Sequence, residues 1–226
     1  AEEGGLYVPT AWPKVEPNEL KAISGKPYSQ IASDLLGLFG GAEWSRARFD
    51  TAIRAALDAF DHKDGPPLQP IDGHVWSMEL FHGPTLAFKD YALAPLAAVM
   101  DADLARTGKR TTVLCATSGD TGAATAKAFA ERTQIDAVIL FPEGRVSEVQ
   151  RRQMTGLGAG NVLPICVQGD FDDCQRVVKS LYQSEMAKAF GFTAVNSINF
   201  VRILLQTAYY VQGSFRCHDA TGQAAS

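Results

Sequence analysis

From residue 75 onward the sequence alternates short runs of strand character with longer helical segments, and this alternation limits the chain to few folds. The predicted strands are 75–80, 111–116, 136–141 and 162–167, and the predicted helices are 87–107, 122–132, 147–157 and 171–190. Such alternation is typical of a parallel sheet with helices on both faces, connected by right-handed crossovers. We therefore predict an α/β fold, in which ligands bind at the carboxyl ends of the strands.

The region before residue 75 has a different, helical pattern. Residues 18–59 place apolar side chains at helical spacing. Residues 61–73 contain several prolines and glycines, which interrupt regular structure, and are predicted to form a linker. We predict an N-terminal helical segment with this linker over residues 1–72, followed by an α/β domain over residues 73–195.

The composition argues against several classes of function. The chain has 46% hydrophobic residues, 20% charged residues and a net charge of −4 at pH 7, without a basic patch for nucleic acid or a membrane surface. It has no signal peptide and no apolar run of about 18 residues that would span a membrane. Its four cysteines show no metal-ligand spacing. We expect a cytoplasmic protein with free thiols and no metal site, and the sequence leaves the oligomeric state open.

One motif places a lysine where a turn meets a helix. In FHGPTLAFKDY, residues 81–91, Gly83 and Pro84 favour a turn, and the residues from Leu86 onward favour a helix, so Lys89 lies in its first turn. The positive end of the helix dipole disfavours an ammonium ion there. A neutral amine can attack a carbonyl carbon. The alternative is a surface lysine that merely follows a turn.

A second motif, ATSGDTGAA at residues 116–124, joins a predicted strand to a predicted helix. Its central loop, residues 117–122, consists of small residues with hydroxyl groups and exposed backbone N–H groups. A loop of this kind at a helix N-terminus can bind a phosphate or a carboxylate. Alternatively, Ser118, Asp120 and Thr121 cap the helix.

A third candidate site lies near the end of the chain. Asn196 and Ser197 can donate hydrogen bonds, and Arg202 presents a guanidinium fork that suits a phosphate dianion. A helix is predicted over residues 198–213 with a polar tail at 214–226, which would let Arg202 point back towards the other two. The alternative is that Asn196 or Ser197 caps this helix and Arg202 lies on its solvated face.

Together and in this order, these motifs resemble those of the threonine synthases, a branch of the fold-type II pyridoxal-phosphate enzymes. The motifs that carry the resemblance are GGLYVP at 4–9, LFHGPTLAFKD at 80–90, ATSGDTGAA at 116–124, QGDFDDC at 168–174 and VNSINFVR at 195–202. Asp120 adds to it, because many relatives that act on serine or O-acetylserine have asparagine at that place. The resemblance implies a tryptophan-synthase-β-like fold, with residues 196–226 as the start of its large domain.

The resemblance also implies an activity and a role for each candidate residue. The reaction would convert O-phospho-L-homoserine and water to L-threonine and phosphate, with pyridoxal 5'-phosphate as the cofactor. Lys89 would bind the cofactor covalently and then move protons at Cα and Cβ of the substrate. The other residues would bind the substrate: Thr117, Ser118, Gly119, Asp120 and Thr121 its carboxylate, and Thr85, Asn196, Ser197 and Arg202 its phosphate.

The sequence departs from the family in one respect. Threonine synthases are longer, and the glycine-rich loop that grips the phosphate of the cofactor, Ser-Gly-Asn-Phe-Gly in form, has no counterpart here. A partner for the pyridine nitrogen is also missing. The resemblance therefore implies an internal fragment. Two alternatives stay open: a related lyase of the threonine or serine dehydratase type, and a threonine-synthase-like fragment without catalytic activity.

Overall fold

The computed structural model describes residues 8–40 and 45–222 of the chain. Residues 4–7 of the GGLYVP motif, residues 41–44 of the predicted helical region and residues 223–226 of the predicted polar tail lie outside these ranges. The helices are α1 (Pro17–Ile23), α2 (Tyr28–Phe39), α3 (Arg46–Leu57), α4 (Asp90–Thr107), α5 (Asp120–Phe129), α6 (Glu148–Thr155), α7 (Phe171–Tyr182), α8 (Met186–Phe190) and α9 (Phe200–Thr221). The strands are β1 (Leu68–Asp72), β2 (Val75–Met78), β3 (Thr111–Ala116), β4 (Ile135–Pro142), β5 (Val162–Val167) and β6 (Phe192–Thr193).

Four parallel strands form the central sheet, in the order β5, β4, β3, β6. Successive strands are added on one side of β3, first β4 and then β5, and the chain then crosses back to place β6 on the other side of β3. With right-handed crossovers, α5 and α6 therefore lie on one face of the sheet and α7 on the other. Both α5 and α7 contact β3 and β4. The predicted α/β fold, with a parallel sheet between helices, is confirmed.

The prediction that residues 75–80 begin the parallel sheet is wrong. Strand β2 pairs with β1 in a separate antiparallel hairpin, with Gln69 opposite Ser77. The predicted linker at 61–73 therefore contains a strand. The sequence analysis missed this strand because proline is rare in strands and occurs there mainly at sheet edges and bulges. Pro70 is tolerated here because both strands of a two-stranded sheet are edge strands. The lysine motif thus follows a hairpin rather than a strand of the parallel sheet.

The predicted long helix over residues 171–190 is two helices, α7 and α8. At the end of α7 the backbone turns tighter: the N–H of Gln183 reaches the carbonyl of Ser180, and the N–H of Ser184 reaches that of Leu181. Such bonds to the third preceding residue are typical of the last turn of a helix, and α8 starts only at Met186. The short strand β6 follows α8, and the sequence analysis did not predict it.

Helix α9 starts later and extends further than predicted. It begins at Phe200, where the Asn199 side chain accepts a hydrogen bond from the N–H of Arg202 at 2.9 Å, and it continues well into the predicted polar tail. Gly213 does not end it. A Cβ atom on Gly213 would lie 2.4 Å from Cε of Met78, so this glycine makes room for the hairpin.

One apolar core joins the N-terminal helices to the rest of the described chain. Helix α3 packs on α2 and α4, and α2 also packs on α9. The buried ring of Tyr91 in α4 lies between those of Tyr28 and Tyr209, with centroids 6.0 and 6.4 Å away. Both pairs have the edge-to-face geometry that aromatic rings favour. The burial of Tyr91 anchors the first turn of α4 and so fixes the backbone of Lys89.

Strand β5 forms one edge of the sheet. The N–H of Ala137 donates to the carbonyl of Asn161, and the N–H of Glu143 donates to that of Val167. Because alternate residues of a paired strand face the same neighbour, the odd-numbered residues of β5 point their backbone groups towards β4. Pro164 therefore faces outward, and its missing N–H falls on the free edge.

Candidate active site

Lys89 immediately precedes α4 and has a helical backbone conformation, with φ −62° and ψ −24°. It lies at a helix N-terminus as predicted, although the helix begins at Asp90 rather than at residue 87. Its side chain is 17% exposed, and Nζ lies 4.4 Å from the centroid of the Phe88 ring. In the preceding loop, Leu86 has a left-handed φ of 62°, which is uncommon outside glycine. The structure thus offers a partly buried amine beside a strained loop.

The loop between β3 and α5 is built around the hydroxyl of Thr117. This buried oxygen accepts hydrogen bonds from the N–H groups of Gly119 at 3.0 Å and Gly122 at 2.8 Å. Gly119 has a φ of 145°, a conformation that side chains disfavour. Thr117 therefore shapes the loop from inside, whereas Ser118 and Asp120 are exposed on its surface.

Asp120 brings the first two motifs together. Its Oδ2 accepts a hydrogen bond from Lys89 Nζ at 3.3 Å, and its Oδ1 accepts one from Gln150 Nε2 at 2.6 Å. The Gln150 hydrogen bond and the Lys89 charge hold the pKa of Asp120 below its ordinary value, against the opposing effect of partial burial. The carboxylate, 50% exposed, is therefore ionised as it faces the amine. The next residue, Thr121, is half-buried in the first turn of α5, where N–H groups lack an acceptor within the helix.

Thr85 is bonded to a buried carboxylate. Its N–H donates to Oδ2 of Asp90 at 2.7 Å, and its hydroxyl donates to Oδ1 at 2.6 Å. Asp90 is 2% exposed, and burial raises its pKa although the Thr85 hydrogen bonds oppose this shift. A Cβ atom on Gly83 would lie 2.5 Å from Oδ2 of Asp90, so the loop closes tightly over this carboxyl group. The phosphate contact of Thr85 stays a prediction, and it requires the hydroxyl to leave Asp90.

Arg202 is a buried guanidinium rather than a residue on a solvated helix face. It is 3% exposed, and its Nη1 donates to the carbonyl of Val195 at 2.9 Å. Its Nε has no hydrogen-bond partner within residues 8–40 and 45–222. Burial lowers the pKa of this guanidinium. A buried cation with an unused donor is suited to binding an anion.

Asn196 and Ser197 are exposed in the turn before α9, and neither residue caps that helix. Strand β6 runs parallel to β3, with Thr112 opposite Phe192. This pairing ends at Thr193, and the chain bends at Asn196. The guanidinium of Arg202 lies close enough to the Cys115 thiol, one residue before the end of β3, for its charge to oppose the rise that burial causes in the pKa of that thiol. The third candidate site therefore lies near the carboxyl end of β3, which leads into the second motif.

Helix α6 supplies two side chains that the sequence analysis missed. Besides the bond from Gln150 to Asp120, Gln153 Nε2 donates to the carbonyl of Thr85 at 3.2 Å, so one helix contacts both loops. The only signal in the sequence is the capping-box spacing of Ser147 and Gln150, and both hydrogen bonds of that box are present. This spacing locates the start of the helix. It carries no information about a contact 30 residues away.

The described arrangement combines an amine, a carboxylate and a buried guanidinium at one edge of a parallel sheet. The amine can attack a carbonyl carbon or move a proton. The carboxylate can stabilise its ammonium form, and the guanidinium can bind an anion. The arrangement therefore suits covalent catalysis on an anionic substrate.

The described part of the chain has neither a metal-binding cluster nor a membrane-spanning helix. Within it, no cluster of three or more His, Cys, Asp or Glu side chains is placed to hold a metal ion. None of the helices in residues 8–40 and 45–222 has the length and apolar character needed to cross a membrane.

Two family models match the sequence. The model of the pyridoxal-phosphate dependent enzymes matches residues 65–212, and the model of the threonine synthase N terminus matches residues 1–57. Among curated proteins, the threonine synthase of Pseudomonas aeruginosa is 40% identical over 217 residues, which are 96% of this chain and 46% of that protein.

Two solved structures have a similar fold. The pyridoxal-phosphate-bound threonine synthase of Brucella melitensis matches with a TM-score of 0.86 at 44% identity, over 95% of this chain and 46% of its own. Yeast threonine synthase matches with a TM-score of 0.87 at 34% identity, over 98% of this chain and 46% of its own. The chain thus spans about half the length of these relatives. Because the first family model covers more than half of the sequence, the chain belongs to the family of pyridoxal-phosphate-dependent enzymes.

Proposed function

We propose that this protein acts as a threonine synthase, which converts O-phospho-L-homoserine and water to L-threonine and phosphate. The observation that carries the proposal is the 3.3 Å approach of Lys89 Nζ to Asp120, which joins two motifs whose residues are 31 positions apart. The similarity to threonine synthases over nearly the whole chain supports it.

The residues present fit pyridoxal phosphate. The aldehyde of this cofactor requires an accessible amine, and Lys89 offers one that is neither fully buried nor free in solvent. The N-terminus of α5, with the hydroxyls of Ser118 and Thr121, offers donors to an anionic group beside that amine. Lys89 would hold the cofactor covalently. When bound, the cofactor withdraws electrons from the substrate, which makes the protons at Cα and Cβ removable.

Lys89 would move those protons as acid and base. Oδ2 of Asp120 lies 3.3 Å from Lys89 Nζ, so the carboxylate would keep the amine in place between proton transfers.

Arg202 would bind the phosphate group of the substrate. Hydrogen bonds from a guanidinium to a phosphate are charge-assisted and therefore stronger than neutral ones. As the phosphate leaves, negative charge grows on its oxygen, and a fixed cation at that point stabilises the transition state. Asn196 and Ser197, at the same edge of the sheet, would add neutral donors.

The first test identifies the lysine that reacts with the cofactor. The 226-residue chain is incubated with pyridoxal phosphate, reduced with borohydride and digested, and the adducts are located by mass spectrometry. We expect a single adduct on Lys89, which Lys89→Ala removes. Lys127→Ala is the matched control, because Lys127 is exposed on α5, and it should leave the adduct intact. Scattered labelling would contradict a pocket that selects Lys89.

The second test concerns the substrate. A threonine synthase releases phosphate and L-threonine in equal amounts from O-phospho-L-homoserine, whereas a dehydratase forms a 2-oxo acid and ammonia from L-threonine or L-serine without any phosphate. We expect the first outcome. Formation of a 2-oxo acid would instead favour the related lyase, and labelling of Lys89 without turnover would favour the fragment that lacks catalytic activity.

A further inference from the structure

The side chain of Gln150 in α6 uses both ends of its amide. Its Oε1 accepts a hydrogen bond from the N–H of Ser147 at 3.0 Å, and its Nε2 donates to Oδ1 of Asp120 at 2.6 Å. The N–H of Ser147 can only donate, so it determines which end of the amide is the oxygen. The other end must then present its NH₂ group to Asp120.

The backbone of the neighbouring loop is packed closely against α6. A Cβ atom on Gly119 would lie 2.4 Å from the amide atoms of Gln150, and one on Gly122 would lie 2.6 Å from Sδ of the buried Met154. Glycine at these two positions therefore lets the loop approach the helix. The contact holds the amide of Gln150 and the carboxylate of Asp120 at a fixed separation.

We propose that Gln150 is a positioning residue that holds the Asp120 carboxylate in front of the Lys89 amine. The inference rests on the proposed function, because it assigns a further residue to that same site. Asp120 is half-exposed at a helix terminus, where its side chain has several rotamers available. The bond from Gln150 to Oδ1 selects the rotamer in which Oδ2 faces Lys89.

The cap of α6 alone does not explain a glutamine at this position. A capping box accepts glutamate or glutamine at its third helical residue, so glutamate would serve the helix equally well. Glutamate would, however, remove the donor to Asp120 and place a second carboxylate against it. Gln150→Glu therefore separates the structural role from the positioning role.

The experiment compares Gln150→Glu with Val149→Glu in the 226-residue chain. Both variants add one negative charge to the first turn of α6, but Val149 is exposed and its apolar side chain forms no hydrogen bond to Asp120. Both variants should unfold at the same urea concentration as the wild-type chain, because neither change removes the cap of α6. Labelling of Lys89 by pyridoxal phosphate and borohydride should change by up to about fivefold in Gln150→Glu only, the effect expected when an exposed ion pair worth about 1 kcal/mol is disturbed. Only that variant removes the donor that orients Asp120 towards the amine.

An NMR titration of the Asp120 carboxyl group gives a measurement that does not depend on labelling. In Gln150→Glu, loss of the donor and repulsion between carboxylates both raise the pKa of Asp120. Val149→Glu should leave it unchanged. Equal effects of the two variants, or no effect of either, would overturn the proposal and leave Gln150 as a capping residue. If the wild-type chain is not labelled at Lys89, the proposed function fails, and the titration still decides the role of Gln150.

Discussion

Arg202 carries a buried charge, and this burial bears on the proposed binding of an anion. Removing a guanidinium from water is unfavourable, and within the described residues its printed hydrogen bond goes to the carbonyl of Val195 rather than to a carboxylate. An anion that binds there gains a charge-assisted hydrogen bond in a region with little competing water. The same burial that destabilises the free protein would therefore strengthen the proposed interaction with an anion.

Arg202→Lys tests this interpretation. Lysine keeps the charge but loses the planar fork, so the loss of one hydrogen bond to a charged group, about 1.5 kcal/mol, should weaken binding of O-phospho-L-homoserine roughly tenfold. Titration calorimetry measures the affinity, and labelling of Lys89 by pyridoxal phosphate should be unchanged. Arg216→Lys is the control, since the guanidinium of Arg216 donates its hydrogen bonds to the carbonyls of Asp64 and Pro66, which are not candidate site residues. Equal loss of affinity and labelling would show that Arg202 is structural.

Residues of the candidate site could be selected from the sequence where a local motif carried them. Lys89 and Asp120 both came from motifs, and the structure places them in contact. Gln150 could not be found in this way, because its contact with Asp120 depends on how two helices pack. The sequence also could not reveal that the nearest partner of the Thr85 hydroxyl is Asp90, five residues further along the chain.

Helix α9 and the β1–β2 hairpin approach each other closely at Gly213 and Met78. Glycine within a helix costs about 1 kcal/mol relative to alanine, yet Gly213 lies in the middle of α9 because Met78 packs against it. The glycine therefore serves the packing of two elements rather than the helix itself.

A double-mutant cycle measures this packing. Gly213→Ala should stabilise the chain by about 1 kcal/mol when Met78→Ala has removed the neighbouring methyl group, the ordinary gain in helix propensity. In the wild-type background the gain should be smaller, because Cε of Met78 must move. Urea unfolding gives the four free energies. Identical gains in both backgrounds would show that the two side chains are not coupled.

The elements differ in how far the sequence could specify them. The bounds of β3 and β5 agree with the prediction, because each is a short run of mostly apolar residues between polar turns. The hairpin was missed because Pro70, considered with its neighbours in sequence, favours a turn. Residues 68–72 form a strand only because they pair with β2. The break after α7 falls at residues 183–185, which contain neither glycine nor proline, so no local signal stops the helical pattern there.

At the scale of the whole molecule, the free edge of β5 raises the question of self-association. Leu163 and Ile165 on this strand are exposed, and an exposed apolar edge is a template for pairing with another chain. Pro164 removes the outward N–H between them. One residue therefore limits strand addition along this side of the sheet.

Pro164→Val should restore the missing donor and promote association. We expect oligomers in sedimentation velocity at concentrations where the wild-type chain shows none. The double variant Pro164→Val with Ile165→Lys is the control, since a lysine on an edge strand opposes pairing, and it should sediment as the wild type. A Pro164→Val variant that sediments unchanged would refute the assignment of this backbone position to the free edge.

Pro164 also determines which edge of the sheet can more easily gain a strand. Because strand addition is limited at β5, an additional strand is better accommodated beyond β6, whose only neighbour in the described ranges is β3. Two residues after β6 comes Val195, whose carbonyl accepts a hydrogen bond from Arg202. A polypeptide that extends the sheet at β6 would therefore be added close to the guanidinium. Completion of the sheet and enclosure of the proposed anion site would then be one event rather than two.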